Sequence, residues 1–190
     1  MIMNVYDFDG TIYNGDSTRD FFFYLLSIDK KVASVLPSFG LAAIKYKLGI
    51  INKTKMKETF YRFLKLFNDG EIDKFVTRFW NENIKKIYSW YYDKHKDSDV
   101  IISASPDFIL EPICKKLNVK LICSKVNIKN GDYIGLNCHG EEKVKRFREV
   151  YGDTCIDEFY SDSKIDLPLA SLAKEAFLVK RGGKIIKWKM

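Results

Sequence analysis

Apolar positions follow two regimes along the chain. Residues 2–8 form a short apolar-rich run that stops at Asp9-Gly10-Thr11, which predicts a buried strand and then a turn. Asp16-Ser17-Thr18 offers a helix cap, and from there to about Lys96 the pattern is helical. Phe60, Phe63 and Phe67, then Phe75 and Phe79, recur near three-to-four spacing, with Asn68-Asp69-Gly70 as a break. After Asp99 the character changes. Val100-Ile101-Ile102 reads as a strand ending at Ser103-Ala104-Ser105-Pro106, followed by a helix to about Leu117. Residues 119–126 read as a strand and Asn130-Gly131-Asp132 as a hairpin turn. A helix over 141–151, a strand over 156–160 ending at Ser161-Asp162-Ser163, another helix, a strand near 176–179 and a last segment over 184–188 complete the chain.

Strand and helix in alternation imply an α/β fold: a doubly wound parallel sheet with helices on both faces. The helical block after the first strand reads as an insertion. The expected division is a core of residues 1–13 and 97–190 and a helical insertion of residues 14–96. A chain of 190 residues can bury such a core and still carry the insertion.

Composition narrows the class. Apolar residues at 46% and charged residues at 30% describe a globular chain rather than a disordered one. The four cysteines, Cys114, Cys123, Cys138 and Cys155, form no Cys-x-x-Cys pair, so a zinc site is poorly supported. Asp7 and Asp9 interrupt any secretory leader pattern, and a cytoplasmic location with reduced thiols is expected. The apolar-rich stretch over residues 32–44 holds Pro37 and Gly40 and is too short to span a bilayer.

The net charge of +7 calls for an anionic partner, and its distribution is uneven. Residues 14–96 carry 16 Lys and Arg against 9 Asp and Glu; the remainder is balanced at 16 of each. Lys30, Lys31, Lys45, Lys47, Lys53, Lys55 and Lys57 follow one another with no acidic residue between them, interleaved with apolar side chains. That combination fits peripheral contact with an anionic membrane, and equally a helix packed on its neighbours with solvated lysines. No nucleic-acid-binding motif is present.

Three polar clusters share one position type, directly after a predicted strand: Asp7 with Asp9, Ser103, and Asp162 with Asp166. In an open parallel sheet the carboxyl ends of the strands line the ligand crevice, so these residues should converge. Two carboxylates two residues apart can divide the work of attacking phosphorus and handling the leaving-group proton. Several carboxylates in one cleft call for a cation, and Mg2+ favours oxygen ligands. Lys143 can balance phosphate charge.

At this point the sequence resembles the haloacid dehalogenase-like phosphatases. Asp7-Phe8-Asp9-Gly10-Thr11 is similar to the family's first motif and Ser103 after an apolar strand to its second. Lys143 heading a helix matches the third, and Asp162-Ser163-Lys164-Ile165-Asp166 the fourth. The resemblance implies that Asp7 is nucleophile and Mg2+ ligand. Asp9 would be general acid and then base, with its carbonyl on the metal. Ser103 and Lys143 would bind the phosphoryl group, Asp162 would ligate Mg2+, and Asp166 would support the metal from behind. The insertion resembles a cap that closes over the site, and Asp16 resembles an acidic position that faces substrate in the phosphoserine-phosphatase-like subgroup. Asp16, Tyr24-Leu25-Leu26, Leu36-Pro37, Tyr160-Ser161-Asp162-Ser163 and Lys180-Arg181-Gly182 together carry a looser resemblance to bacterial phosphatidylglycerophosphatases of the C type. Expected substrates are therefore a phospholipid phosphate, phosphoserine or another small metabolite. A phospho-accepting receiver domain is the rival of another class; the helical insertion and Asp9 do not suit it.

Overall fold

A computed structural model describes residues 3–68 and 70–189. In chain order the elements are β1 (Val5–Tyr6), α1 (Ser17–Ile28), α2 (Leu36–Lys47), α3 (Lys53–Tyr61), α4 (Glu71–Asn83) and α5 (Ser89–Lys94). There follow β2 (Val100–Pro106), α6 (Asp107–Lys116), β3 (Lys120–Ser124), α7 (Glu141–Tyr151), β4 (Ile156–Ser161), α8 (Leu167–Ala170), β5 (Ala173–Lys180) and β6 (Lys184–Lys187).

One six-stranded sheet runs in the order β3-β2-β1-β4-β5-β6. The first five strands are parallel, and β6 returns antiparallel on β5. Because β1 sits between β2 and β4, the strand order reverses at β1, and such a switch point opens a crevice at the strand carboxyl ends. Strand alternation sends Val5, Val100 and Ile102 to one face and Tyr6 and Ile101 to the other. Phe147 of α7 and Leu169 of α8 cover the first face. The second face is aromatic: Tyr6 stacks on Tyr160 at 5.1 Å and Tyr160 on Phe177 at 4.9 Å.

The helices between β1 and β2 pack into that aromatic face. Trp80 of α4 meets Phe8 edge-on at 5.7 Å, and its Nε1 donates to the Ile109 carbonyl of α6 at 2.7 Å. At the far side of the block, α3 reaches the 124–140 loop. The Glu58 carboxylate accepts from the Tyr133 N–H at 3.3 Å, and Lys53 Nζ lies 3.1 Å from His139 Nε2. Gly131 sits so close to the Tyr61 carbonyl that a Cβ would come within 2.6 Å of its oxygen.

The expected elements occur with local corrections. The strand expected over residues 2–8 is ladder-paired only at Val5–Tyr6, and Ile2 lies outside the described residues. Side chains shorten it: the Met3 N–H donates to Asp157 and the Asn4 N–H to Asp99 instead of to a strand neighbour. The sheet is not wholly parallel, because a tight turn after Lys180 returns the chain beside β5. The hairpin expected at Asn130-Gly131-Asp132 is a turn with one bridge, Val126 to Tyr133; Asn127 and Asn130 carboxamides take backbone N–H groups that a ladder would use. Asp69, in the expected helix break, lies outside the described residues.

Candidate active site

Residues 7–11 leave the sheet at the switch point. The Asp7 N–H still donates to the Tyr160 carbonyl at 2.9 Å, so Asp7 lies abreast of the end of β4. The chain then turns at Gly10, whose φ of +70° favours glycine. The second reason for glycine is space. A Cβ at this position would stand 2.3 Å from Asp162 Oδ2, so only glycine admits the Asp162 carboxylate against the loop. Thr11 fixes the approach: its hydroxyl accepts from the Asp162 N–H at 2.9 Å.

Lys143 lies in the first turn of α7 and is 1% exposed, a burial that lysine tolerates only when its charge is paired. Its ammonium donates to Asp7 Oδ1 at 2.7 Å and to Asp166 Oδ2 at 2.8 Å. Ser161 Oγ donates to the same Asp166 oxygen at 2.8 Å. Burial pulls the Lys143 pKa down, but the two carboxylates outweigh it and hold the ammonium charged, above its ordinary value. Burial also pushes Asp7 up to about 6; Lys143 opposes that shift without cancelling it.

Asp9 faces the start of α1. Its Oδ1 accepts from the Ser17 N–H at 2.6 Å and its Oδ2 from the Ser105 hydroxyl. Thr18 Oγ1 is 3.3 Å from Ser105 Oγ, so α1, β2 and the 7–11 loop meet at one carboxylate. Desolvation first, and the Asp16 charge second, push Asp9 up to about 7. Desolvation, then the Asp166 charge, also raise Asp162.

The high Asp9 value has a stability consequence. A carboxyl that binds its proton more tightly folded than unfolded favours the fold at low pH; that contribution fades as pH rises from about 4 through about 7. Asn at this position can still accept from Ser17 N–H and has no charge to desolvate. In chelator at pH 8, Asp9→Asn is expected to melt above wild type by an amount worth on the order of 1–3 kcal/mol, the gap closing toward pH 4. Melting curves across that range measure it; a variant no more stable at pH 8 than at pH 4, relative to wild type, contradicts the burial argument.

Two cavities lie nearby, one beside Ser105 and one reaching the loop at Gly10. One of about 300 Å³ is bounded by Asp16, Arg19, Phe39, Met56, Lys57, Phe60, Tyr61 and Ser105. The other, of about 540 Å³, runs from Gly10 and Asp162 to Lys180 and Arg181, with Asp16 again on its wall. Asp16 is also the cap of α1, where its carboxylate accepts from the Arg19 N–H at 2.8 Å.

The geometry therefore brings Asp7, Lys143 and Asp166 into direct contact, sets the Asp162 carboxylate against Gly10 of the same loop, and turns Asp9 toward Ser17 and Ser105. Ser103 is buried but lies inside β2 rather than directly after it, as its sequence position suggested. The strand continues past a register shift to pair Pro106 with Ser124, and Ser103 Oγ accepts from the Ser105 N–H at 3.2 Å. Residues that the sequence reading passed over are Thr11, Ser105, Ser161 and Lys57. Lys57 projects from α3 to the Ala104 carbonyl at 3.4 Å, and burial, then Lys53, lower its pKa. Its only sequence signal was membership of a lysine run.

The haloacid dehalogenase-like hydrolase family model matches residues 5–171. The chain belongs to that family. Among relatives of the haloacid dehalogenase-like chain, the protein CicA of Caulobacter vibrioides is 36% identical over 83 residues, covering 40% of this chain and 37% of CicA. The match thus spans well under half of that relative. The histidinol-phosphatase of Neisseria meningitidis is 24% identical over 96% of this chain and 92% of its own. A Bordetella pertussis protein of unknown function superposes with a TM-score of 0.76 at 18% identity, over 93% of this chain and 89% of that one. A phosphoserine phosphatase in a phospho-aspartyl intermediate analogue superposes with a TM-score of 0.54 at 17% identity, over 92% and 84%. At these identities the structural likenesses establish the shared fold. No helix among the described residues is long and apolar enough to cross a membrane.

Proposed function

We propose that the chain is a Mg2+-dependent phosphatase that hydrolyses a phosphomonoester through an aspartyl-phosphate on Asp7, with residues 14–96 acting as a cap over the core. The observation that carries this reading is the buried Lys143 ammonium, 2.7 Å from Asp7 and 2.8 Å from Asp166, with Asp9 on the same loop held by a separate pair of donors. One carboxylate is set for attack beside a fixed cation, and the other is tuned to carry a proton near neutrality.

The donors suit Mg2+. Asp7, Asp162 and the Asp9 carbonyl would hold it, an all-oxygen set matched to a hard cation. No group of three His, Cys, Asp or Glu side chains among the described residues is arranged as a metal cluster. Mg2+ does not require one, since it keeps several waters and needs only one or two carboxylates. When bound, it supplies positive charge for the crowded carboxylates and the phosphoryl oxygens.

The chain's own residues then divide the reaction. An Asp7 oxygen attacks phosphorus and forms a P–O bond as the ester P–O bond breaks. Asp9, protonated, gives its proton to the departing oxygen. Asp9, now ionised, takes a proton from a water that attacks the same phosphorus, and the Asp7–phosphorus bond breaks. The products are the alcohol and inorganic phosphate, with both carboxyls restored. Lys143 neutralises phosphoryl charge, and Ser103 binds a phosphoryl oxygen through its hydroxyl. Ser105 and the Ser17 N–H orient Asp9. Lys57 adds a second cation, and the mainly apolar cavity beside Ser105 takes the alcohol part of the substrate.

Phosphate release from p-nitrophenyl phosphate, with and without Mg2+, tests the reaction. Release that survives chelation unchanged rules out the metal-dependent mechanism. A panel of phosphoserine, histidinol phosphate, sugar phosphates, nucleotides and phosphatidylglycerophosphate then separates small-metabolite from phospholipid substrates.

A further inference from the structure

The α2 helix carries an apolar stripe that none of the described residues covers. Its inner side is anchored by Ala42, which is buried, and by Phe39, whose ring lies 4.9 Å from that of Phe60. At 3.6 residues per turn, positions 37, 41, 44 and 48 fall within about 60° of one another, on the opposite side. Leu41, Ile44 and Leu48 are 55%, 57% and 68% exposed. Lys45 and Lys47 flank this stripe, one on each side. Neither makes an ion pair among the described residues.

We propose that the α2 face formed by Pro37, Leu41, Ile44 and Leu48, with Lys45 and Lys47 beside it, docks on an anionic lipid surface. A contiguous exposed apolar patch rimmed by polar groups marks an interaction site. The charge selects the occupant. The α2 helix carries Lys45 and Lys47 and no acidic side chain, so an anionic surface meets no like charge on it. A second copy would bring lysines against lysines. Long lysine side chains can lay their stems along the apolar stripe while their ammonium groups reach lipid phosphates. With no spanning helix among the described residues, the contact is peripheral, with α2 lying in the interface plane.

The position of the stripe has a consequence that rests on the phosphatase reading. Phe39 of α2 and Met56, Lys57 and Phe60 of α3 line the cavity beside Ser105. Docking on α2 therefore holds the cavity's own walls close to the lipid surface, where a phosphomonoester headgroup would be the substrate.

Co-sedimentation with vesicles tests the docking separately from the chemistry, using Asp7→Asn alongside wild type. Both are expected to pellet with vesicles of phosphatidylglycerol in phosphatidylcholine at low salt, to bind phosphatidylcholine alone weakly, and to be released as salt rises. Leu41→Ser/Ile44→Ser/Leu48→Ser and Lys45→Glu/Lys47→Glu are each expected to lower partitioning at least about tenfold. Neither variant touches the residues assigned to the site, so p-nitrophenyl phosphate hydrolysis should be unchanged. Absence of binding at low salt, or full binding by both variants, overturns the docking. So does concentration-dependent dimerisation that the serine variant abolishes, because the stripe would then be covered by a second copy. Vesicle binding without phosphatase activity would leave the docking standing and remove the reaction.

Discussion

Asp7→Asn is expected to lower Mg2+-dependent phosphate release by about 10⁴-fold or more, while the protein remains folded. The size follows from the role: a nucleophile that forms the covalent intermediate has no substitute, and loss of such a group removes most of the chemical acceleration. Asn has the shape of Asp but cannot attack phosphorus as an anion. The fold should tolerate the change, since burial already pushes the Asp7 carboxyl up to about 6. Above that pH the wild-type protein bears an ionised group that its surroundings disfavour, and the amide removes it. The change also takes one anion from Lys143, whose remaining partner is Asp166. Near pH 7 these effects oppose each other, and the variant's melting temperature should lie within a few degrees of wild type. Circular dichroism and a single-turnover assay on the same preparation read both parts. Retention of more than about a hundredth of wild-type activity would make Asp7 a positioning group rather than the nucleophile. Asp7→Glu, longer by one methylene, serves as the second variant: folded and inactive is the expected result.

The residues of this site were legible in sequence for one physical reason. A doubly wound sheet places short polar segments at strand ends, and Asp9-Gly10-Thr11 and Ser161-Asp162-Ser163 interrupt apolar runs abruptly. Lys143 was legible only through its resemblance to a motif. By pattern alone it is one of several basic residues in α7, and nothing in the spacing says that its side chain turns inward while Lys145 stays exposed. Ser105 was illegible because its neighbour Asp9 is 96 residues away in sequence and reaches it only when β1 and β2 pair. Lys57 was hidden for the opposite reason. It sits in a run of lysines, and only the folded chain brings its side chain to the Ala104 carbonyl.

The boundaries were harder than the elements. The β1 strand is short because Asp99 and Asp157 take the N–H groups of Met3 and Asn4, long-range contacts that no local pattern contains. The block between β1 and β2 was legible as helical, but the pattern did not say that its aromatic residues would join one apolar cluster with Tyr6 and Tyr160. That continuity matters for the proposed cap: a helix such as α4, pinned to α6 through Trp80, is part of the scaffold, whereas α2 is held mainly by Phe39 and Ala42. Within the proposed cap α2 is therefore the helix with the fewest ties to the core, whereas α3 is tied to it through Glu58, Lys53 and Lys57.

Lys143→Met should be the most destabilising single change at the site. Met keeps much of the length and apolar stem and removes only the ammonium. Asp7 and Asp166 then remain buried without the donor that each now has at 2.7–2.8 Å. Removing one partner of a buried pair typically costs about 3–5 kcal/mol, because the other charge is left uncompensated. For a domain of this length that is about 6–20 °C in melting temperature. The pH dependence identifies the cause. Lys143 itself stays charged throughout the neutral range, so the cost of its loss must come from the carboxylates. It should grow as pH rises through about 6 and the Asp7 carboxyl ionises, and shrink as that carboxyl takes up its proton. Lys143→Met/Asp166→Asn removes one of the two stranded charges, and Asn can still accept from Ser161 Oγ. The double variant should recover a substantial part of the lost stability in chelator. It should not recover activity, because the phosphoryl group still lacks its cation. A pH-independent loss would assign the effect to packing. Activity restored in the double variant would show that Lys143 serves only to hold Asp166 and Asp7 apart, and would remove it from the phosphate-binding set.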